Sequence, residues 1–178
     1  NNQVQSLIPI QELNSLSVLE AQNSNLNSVQ PILKLNKISK LNLAQNKLSE
    51  EQFLQLAKLN GLNELDVDGT GIEKESVRKF LDTKTSACSI IYDKIGMMAW
   101  WNQLDGEWQS VFKLQFPLSS KPTVKELHDL TAVPSIVMRD VAIQSLNPLL
   151  KFVQLEELYM ERVGLESLES ISAVSKLK

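Results

Sequence analysis

The sequence predicts an α/β solenoid in which short parallel strands stack and helical returns join them. A phrase of the form L-x-x-L-x-L-x-x-N-x-L occurs five times, with replacements at some of its positions. Apolar residues spaced in steps of three fill most intervals between these phrases. One repeat cannot fold alone, because about six buried anchors stabilise it less than ordering about 22 residues costs. The repeats must therefore stack on one another.

Three phrases in the first half of the chain start at Leu16, Ile38 and Leu62. Each predicts one strand whose alternate apolar residues face the core. The steps of three that precede Leu16 predict a return of 3-10 or irregular helix. The return between Leu48 and Leu62 is longer and opens with Ser49 followed by two acidic residues, so an α-helix is predicted there.

The first array is expected to end shortly before residue 94. Residues 77–81 predict a last helical return, and residues 88–92 predict a short closing strand. The single cysteine, Cys88, is interpreted as a small buried apolar residue, because the sequence places no histidine, lysine cluster or helix start beside it to activate a thiolate. We therefore assign residues 1–93 to the C-terminal part of a first repeat array.

Residues 94–132 interrupt the repeat and are predicted to form a helical cap. Apolar side chains fall on one side of a helical wheel over 97–116, which predicts one amphipathic helix. Thr123 and Glu126 have the spacing of a capping box, so a second, shorter helix should start there. A helical pair before a new group of phrases would cover the open apolar end of a solenoid.

This cap contains all three tryptophans and the single histidine of the chain. Trp101 and Trp108 fall on the buried side of the predicted helix, whereas Trp100 lies off it and is the better candidate for a partner contact. His128 lies off the apolar stripe of the second helix and is expected to be a solvated surface residue. One histidine and one cysteine exclude a multi-histidine metal centre and a multi-cysteine zinc site.

The repeat resumes over residues 133–178, which we assign to the opening repeats of a second array. Its phrases start at Val133 and Leu155. The returns that begin at Ile143 and Leu165 again run in steps of three apolar residues, which predicts short helical returns like those of the first array.

The segment Ile143-Gln-Ser-Leu-Asn-Pro-Leu149 and its partial copy, Val4-Gln-Ser-Leu-Ile-Pro-Ile10, resemble the leucine-rich-repeat family, specifically the short class of about 22 residues found in bacterial internalins. The resemblance implies a solenoid with parallel strands on a concave face and 3-10, irregular or α-helical returns on the convex face. It also implies a binding protein that is bacterial and either secreted or displayed at the cell surface, in an adhesin-like role.

One departure from the family pattern concerns the asparagine that links neighbouring repeats. Asn46 supplies it, whereas Val141 and Val163 stand at the same position of the second array. A valine side chain cannot form hydrogen bonds, so a looser turn or a bound water is expected there.

Composition excludes several function classes. The 178 residues carry a net charge of −3 with a pI near 5.3, which gives no basic surface for nucleic acid. No apolar run is long enough to cross a bilayer. The sequence contains no phosphate-binding loop, nucleophile elbow, zinc-protease helix or EF-hand loop, so neither a cofactor nor an enzyme activity is predicted.

Candidate binding residues follow from strand alternation, because positions three, five and seven of each phrase project onto the exposed face. In the first array these positions bring together Glu64, Asp66 and Asp68. This acidic row is interpreted as a solvated strip. A docking surface for a basic partner is the alternative, and a calcium site or a catalytic carboxylate pair is the least favoured one.

In the second array the same positions hold an aromatic and arginine combination that is typical of interface hot spots. The candidate partner-binding residues there are Val137, Arg139, Tyr159 and Glu161. The favoured function is a non-enzymatic scaffold that binds a protein or peptide partner through its concave face. The alternative is an intracellular regulatory subunit that docks on an enzyme. Both ends of the chain are expected to be uncapped and to permit end-to-end self-association.

Overall fold

The computed structural model describes residues 7–26 and 28–165. The chain divides into two compact units, Asn1–Lys94 and Ile95–Lys178. Three expectations rest on residues outside the described ranges: the partial repeat copy that starts at Val4, the return that continues after Leu165, and the uncapped ends.

The first unit contains a four-stranded parallel sheet formed by β1 (Val18–Glu20), β2 (Lys40–Asn42), β3 (Glu64–Asp66) and β4 (Ser89–Ile91). The strands are adjacent in chain order. Leu19, Leu41 and Leu65 lie side by side in the register of the first three strands, and Ile90 extends the row onto the fourth. This register confirms the predicted stack, because residues at the same position of successive phrases lie side by side on neighbouring strands.

The returns of the first unit differ in length as predicted. Short intervals form 3-10 helices, and the longer interval forms an α-helix that tightens into a 3-10 turn. The elements are 3-10 helices at Ile8–Ile10 and Ile32–Lys34, helix α1 (Glu50–Gln55) with its 3-10 continuation at Leu56–Lys58, and helix α2 (Lys74–Thr83), which is the predicted last return.

Helix α1 starts at a capping box. The Oγ of Ser49 accepts a hydrogen bond from the Gln52 N–H at 3.2 Å, and the Ser49 N–H donates to Gln52 Oε1 at 3.1 Å. Two backbone donors at the helix start are thereby satisfied reciprocally. On the buried side, the ring of Phe53 stacks on Phe80 of α2 with ring centroids 4.8 Å apart, which joins consecutive returns.

Asn46 joins two neighbouring turns of the first unit from inside the core. Its Oδ1 accepts from the backbone N–H groups of Ser24 and Leu26 at 3.0 and 3.1 Å. Its Nδ2 donates to the carbonyl oxygens of Ala21 and Leu43 at 2.8 and 2.9 Å. The residue is 4% exposed. One side chain therefore satisfies four backbone groups that lie away from water.

Every described phrase leaves its strand through the same backbone conformation. The eighth residue of each has a φ between 49° and 69°, in the left-handed region. This conformation costs a non-glycine residue roughly 1–2 kcal/mol, which the packing of the turn must outweigh. Sequence reasoning missed the position because five residue types fill it: Asn23, Gln45, Gly69, Asp140 and Arg162.

Within the described residues, the second unit combines three helices with a two-stranded parallel sheet. Strand pairing places Ile136 beside Leu158, so the second group of phrases forms rungs as predicted. None of the helices that the structure describes is long and apolar enough to span a bilayer. The elements are α3 (Lys94–Gln103), α4 (Gly106–Gln115), α5 (Val124–Thr131), β5 (Ser135–Arg139), a 3-10 return at Asn147–Lys151 and β6 (Glu157–Glu161).

The prediction of one helix over 97–116 was wrong. The helical path stops after Gln103 and restarts at Asp105, whose side chain accepts from the Trp108 N–H at 2.8 Å and caps α4. A helical wheel does not show this break, since α3 and α4 both direct apolar side chains into one core. An aspartate at a helix start was the available signal. The capping box predicted for α5 is present.

The aromatic core of the second unit includes a residue that the sequence placed outside it. Trp101 and Trp108 are buried, as predicted, and Trp108 Nε1 donates to the Ser145 carbonyl oxygen at 3.2 Å. Trp100 is half-buried, and its ring centroid lies 5.8 Å from that of Phe112. Trp100 packs against the core. The prediction that Trp100 lies off the buried side of the helix was therefore wrong, whereas its role in a partner contact stays a prediction.

Two further side chains differ from their predicted surroundings. His128 is 3% exposed instead of solvated, and its Nδ1 lies 2.8 Å from the backbone oxygen of Val124. The prediction that His128 is solvated was wrong, because the buried face of α5 is wider than the apolar stripe and also includes Leu127 and Thr131. Cys88, which was predicted to be buried, is half-buried.

Candidate functional site

The candidate site consists of two strand faces, one in each unit, of which the first is half-buried at its three acidic residues and the second is exposed at Tyr159. We define the first strand face by Glu64, Asp66 and Asp68, together with Lys40 and Asn42 of the preceding rung. The register places Lys40 beside Glu64 and Asn42 beside Asp66. The predicted acidic row therefore exists, with a cationic and an amide side chain next to it.

Two lysines neutralise much of the first strand face. Lys40 Nζ lies 3.5 Å from Glu64 Oε2, and Lys94 Nζ lies 2.7 Å from Asp66 Oδ2. Asp68 Oδ1 accepts from the Lys94 backbone N–H at 2.9 Å, where α3 begins. The pairs are partly exposed, so each contributes about 1 kcal/mol or less to stability. The pairs have a larger effect on binding, because they reduce the net negative charge that the first strand face presents to a partner.

The carboxylates of the first strand face are engaged within the protein. Asp66 Oδ1 accepts from the Asp68 N–H at 3.1 Å, in addition to the contacts with Lys94. Within residues 7–26 and 28–165, no group of three or more His, Cys, Asp or Glu side chains is placed to hold a metal ion. Calcium needs six to eight oxygen ligands. This geometry therefore lends no support to the calcium hypothesis.

We define the second strand face by Val137 and Arg139 of β5 and by Glu157, Tyr159 and Glu161 of β6. Val137 lies directly beside Tyr159, and Arg139 lies beside Glu161. The exposed fractions of Val137 and Tyr159 are 36% and 55%. An exposed apolar and aromatic pair with charged side chains around it has the composition of an interface centre and its polar rim.

A neighbouring carboxylate orients the tyrosine of the second strand face. The Tyr159 hydroxyl donates to Glu157 Oε2 at 3.1 Å. This hydrogen bond, together with the negative charge of Glu157, raises the pKa of Tyr159, so the phenol keeps its proton near neutral pH. A side chain held in this way loses less rotamer entropy when a partner binds.

Ion pairs link the two rungs of the second unit where the strands end. Arg139 Nε lies 3.3 Å from Glu161 Oε2. Arg162 donates to both carboxylate oxygens of Asp140, with its Nη2 at 2.9 Å from Oδ2, and also to Glu161. The Arg162 guanidinium holds the pKa of Asp140 below its ordinary value. These pairs fix the charged rim around the Val137 and Tyr159 pair.

Gln115 supports the second strand face from behind, and sequence reasoning did not assign it this role. Its Oε1 accepts from the Val137 N–H at 2.9 Å, on the edge of β5 away from β6, and its Nε2 donates to the Val111 carbonyl oxygen at 2.9 Å. Helix α4 thus covers a strand edge that would otherwise be open to another chain. The available signal was a glutamine among the apolar residues of the helical wheel.

No protein-family model matches the sequence, and no curated protein matches it. Among solved structures, an internalin (inlF) from Listeria monocytogenes is 15% identical over 98% of this chain and 43% of its own length, with a TM-score of 0.42. Internalin C2 from the same organism is 22% identical over 94% and 71%, with a TM-score of 0.39. The functional domain of InlJ from Listeria monocytogenes is 16% identical over 95% and 35%, with a TM-score of 0.28. The chain thus spans less than half the length of the first of these structures.

The fold assignment rests on the repeat itself. In both units, residues at the same position of successive phrases lie side by side on adjacent parallel strands. Short helical returns connect these strands. An asparagine joins neighbouring turns of the first unit from the core. Repeats that each contact only their neighbours, with one strand and one return apiece, define the leucine-rich-repeat fold. The chain folds into α/β leucine-rich repeats, and their short sequence phrase resembles that of the internalins.

Proposed function

We propose that the protein is a non-enzymatic recognition scaffold that binds a protein or peptide partner through its exposed strand faces. The observation that carries this proposal is the pair formed by Val137 and Tyr159, which are exposed and adjacent in register. Backbone pairing between β5 and β6 holds both side chains on one face, which lowers the entropy lost when a partner binds.

The second strand face has the chemistry of a hot spot. An apolar side chain of a partner would pack on the Val137 and Tyr159 pair, while Arg139 and Glu161 would supply polar contacts at the rim. Tyrosine and arginine are enriched at such centres because they combine a large contact area with a polar group. The bond from Tyr159 to Glu157 presents the ring in one orientation.

For the first strand face we propose a weaker, electrostatic role toward a basic partner. Lys40 and Lys94 already pair with Glu64 and Asp66, so an arriving cation must displace a lysine from its carboxylate. Rim charges of this kind change the association rate and its salt dependence more than the affinity. We therefore expect the second strand face to provide most of the binding free energy.

The proposal includes a domain organisation and a location. Residues 1–93 belong to a first array, residues 94–132 cap a second array, and residues 133–178 open it; the bond between Gln115 and the Val137 N–H supports the capping role. From the resemblance of the repeats to internalins, we propose a bacterial protein that is secreted or displayed at the surface. Fractionation of cells that produce the natural protein tests this, and a cytoplasmic location would favour a regulatory subunit.

Selection of a displayed random-peptide library on the folded chain tests the binding face. A recovered peptide is then titrated against the wild type and its variants by calorimetry. We expect Tyr159→Ala to weaken binding by at least about 1 kcal/mol, because it removes the centre of the contact. Arg139→Ala should have a smaller effect, since it removes a rim charge.

Leu114→Ala is the matched control for the binding test. Leu114 is 86% exposed in the same unit but lies on α4 and not on either strand. Far-UV circular dichroism of every variant checks that the fold is retained. The proposal fails if the double variant Tyr159→Ala/Arg139→Ala binds the peptide as tightly as the wild type does. It also fails if Leu114→Ala weakens binding as much as Tyr159→Ala.

A further inference from the structure

The first unit contains the same four-residue turn three times, with a different residue after its asparagine each time. Backbone bonds from the fourth residue to the first close these turns at 2.9, 3.2 and 3.0 Å. The asparagine is exposed in all three. The turns are Leu13-Asn14-Ser15-Leu16, Leu35-Asn36-Lys37-Ile38 and Leu59-Asn60-Gly61-Leu62. The chain therefore presents Asn-Ser, Asn-Lys and Asn-Gly pairs in matched settings.

We propose that Asn60 is a self-modifying site, which converts to aspartate and isoaspartate without an enzyme. The backbone nitrogen of Gly61 loses its proton and attacks Asn60 Cγ. The bond from Cγ to Nδ2 breaks and ammonia leaves with the proton, which closes a five-membered succinimide ring. Water then adds to one of the two ring carbonyl carbons and opens the ring. The net reaction consumes one water and releases one ammonia, with no oxidation or reduction.

The local geometry leaves the reacting groups of this turn free. Gly61 has no side chain to obstruct its nitrogen. Neither the Asn60 side chain nor the Gly61 N–H forms a hydrogen bond with another described residue. Space also favours glycine, because a Cβ at Gly61 would lie 3.2 Å from the Ile38 carbonyl oxygen of the preceding turn. The close approach of two repeats thus favours the residue that makes Asn60 reactive.

A cationic hydrogen-bond chain polarises the peptide bond between Asn60 and Gly61. Lys84 Nζ donates to Ser86 Oγ at 2.9 Å, and the Ser86 hydroxyl donates to the Asn60 carbonyl oxygen at 3.0 Å. Lys84 itself is 9% exposed. A donor on this carbonyl stabilises the amide anion that forms when Gly61 loses its proton, and the lysine charge strengthens that donor. No such bond reaches the carbonyl oxygens of Asn14 or Asn36 from other described residues.

Two aspartate–glycine dipeptides could form the same ring, and both of their carboxylates accept hydrogen bonds from backbone N–H groups. Asp68 precedes Gly69, and its carboxylate accepts from the Lys94 N–H at 2.9 Å. Asp105 precedes Gly106, and its carboxylate accepts from the Trp108 N–H at 2.8 Å. A carboxylate is a poorer target for a nitrogen nucleophile than an amide. Asn60 is therefore the reactive position among these dipeptides.

Incubation of the whole chain in mildly alkaline buffer at physiological temperature tests the proposal, with peptide mapping by mass spectrometry. We expect Asn60 to convert at least about tenfold faster than Asn14 and Asn36, which corresponds to a barrier lower by about 1.4 kcal/mol. Both aspartyl and isoaspartyl products should appear. Asn60→Gln should abolish the conversion, because its longer side chain closes a larger ring. Conversion of Asn60 no faster than that of Asn36 would overturn the proposal.

Substitutions at Ser86 test the part of the mechanism that depends on the fold. We expect Ser86→Ala to slow conversion of Asn60 about two- to tenfold, the effect of one hydrogen bond on a barrier, and to leave Asn14 and Asn36 unchanged. Ser86→Thr keeps the hydroxyl and should restore the wild-type rate. Circular dichroism confirms that each variant is folded. Equal rates for wild type and folded Ser86→Ala would refute the role of the Lys84 and Ser86 chain.

Discussion

The two units use the same strand phrase but close its turn in different ways. In the first unit the Asn46 side chain lies in the core and satisfies four backbone groups. In the second unit Val141 and Val163 stand at that position, and the Gly164 N–H donates directly to the Val141 carbonyl oxygen at 3.0 Å. A direct backbone bond therefore joins the two turns in the second unit. The looser turn or bound water expected at the valine position stays a prediction.

A second difference concerns where the polar contacts between repeats lie. The first unit has a buried network on Asn46 in addition to the exposed Lys40 and Glu64 pair, whereas the second unit has an ion pair between Asp140 and Arg162 on the surface. An exposed ion pair contributes about 1 kcal/mol or less, so it cannot replace a buried network. The second unit relies instead on its aromatic core, where the rings of Trp108 and Phe112 lie 5.3 Å apart.

The largest effect is expected from removing a leucine between rungs. Leu41 is 2% exposed and lies between Leu19 and Leu65, so Leu41→Ala should destabilise the chain by about 2–5 kcal/mol. Leu158 has the same phrase position in the second unit but is half-buried, and Leu158→Ala should cost about 1–2 kcal/mol. Urea unfolding followed by circular dichroism measures both. An unchanged stability of Leu41→Ala would mean that the inward register is wrong.

The next largest effect separates the two kinds of turn. Asn46→Ala should cost about 2–4 kcal/mol, because it leaves buried backbone groups unpaired, and hydrogen exchange at Ser24 and Leu26 should accelerate. Val163→Ala removes a half-buried side chain from the equivalent position and should cost about 1 kcal/mol. Asn36→Ala is the control at an exposed asparagine. If Asn46→Ala and Val163→Ala destabilised the protein equally, the proposed difference between the turns of the two units would be wrong.

A smaller effect is expected at the covered edge of β5. Gln115→Ala removes the acceptor for the Val137 N–H and should cost about 0.5–1.5 kcal/mol. The free energy that protects the Val137 N–H from hydrogen exchange should fall by a similar amount. Leu114→Ala should leave this protection unchanged. Tryptophan fluorescence reports this unit directly, because all three tryptophans lie within residues 100–108. Unaltered exchange at Val137 in Gln115→Ala would show that α4 does not protect this edge.

The smallest expected effect is a difference between the two capping boxes in how their contribution to stability depends on pH. The backbone N–H of Thr123, followed by its hydroxyl and by Ser119, lowers the pKa of Glu126 from 4.5 to about 2. A lowered folded-state pKa stabilises the protein above the unfolded value of 4.5, and this stabilisation is lost as the pH falls through about 2. The box of Ser49 and Gln52 contains no ionisable group and should not respond.

Thermal unfolding at several pH values between neutral and strongly acidic checks this last prediction. Glu126→Gln keeps a capping-box acceptor but cannot titrate, so it should reduce the loss of stability in acid. Gln52→Glu is the reciprocal variant and should add a pH dependence to the first unit. A wild type and a Glu126→Gln variant with identical acid profiles would contradict the role of Glu126.

Much of the fold and part of the site could be predicted from sequence. The inward row of Leu19, Leu41 and Leu65 follows from repeat spacing, and the neighbours Val137 and Tyr159 follow from strand alternation. Capping boxes are visible because their partners are three residues apart. The break before Asp105 was missed because two helices that face one core produce a continuous apolar stripe on a wheel.

By itself, the sequence determined which side chains of each rung face inward and which face the solvent, because spacing and alternation are local properties of the chain. Only the tertiary structure decided which partners those side chains meet. Lys94 reaches Asp66 across 28 residues, and Gln115 reaches Val137 across 22 residues. Such contacts arise where separate segments pack together, and no local pattern encodes the identity of the distant partner.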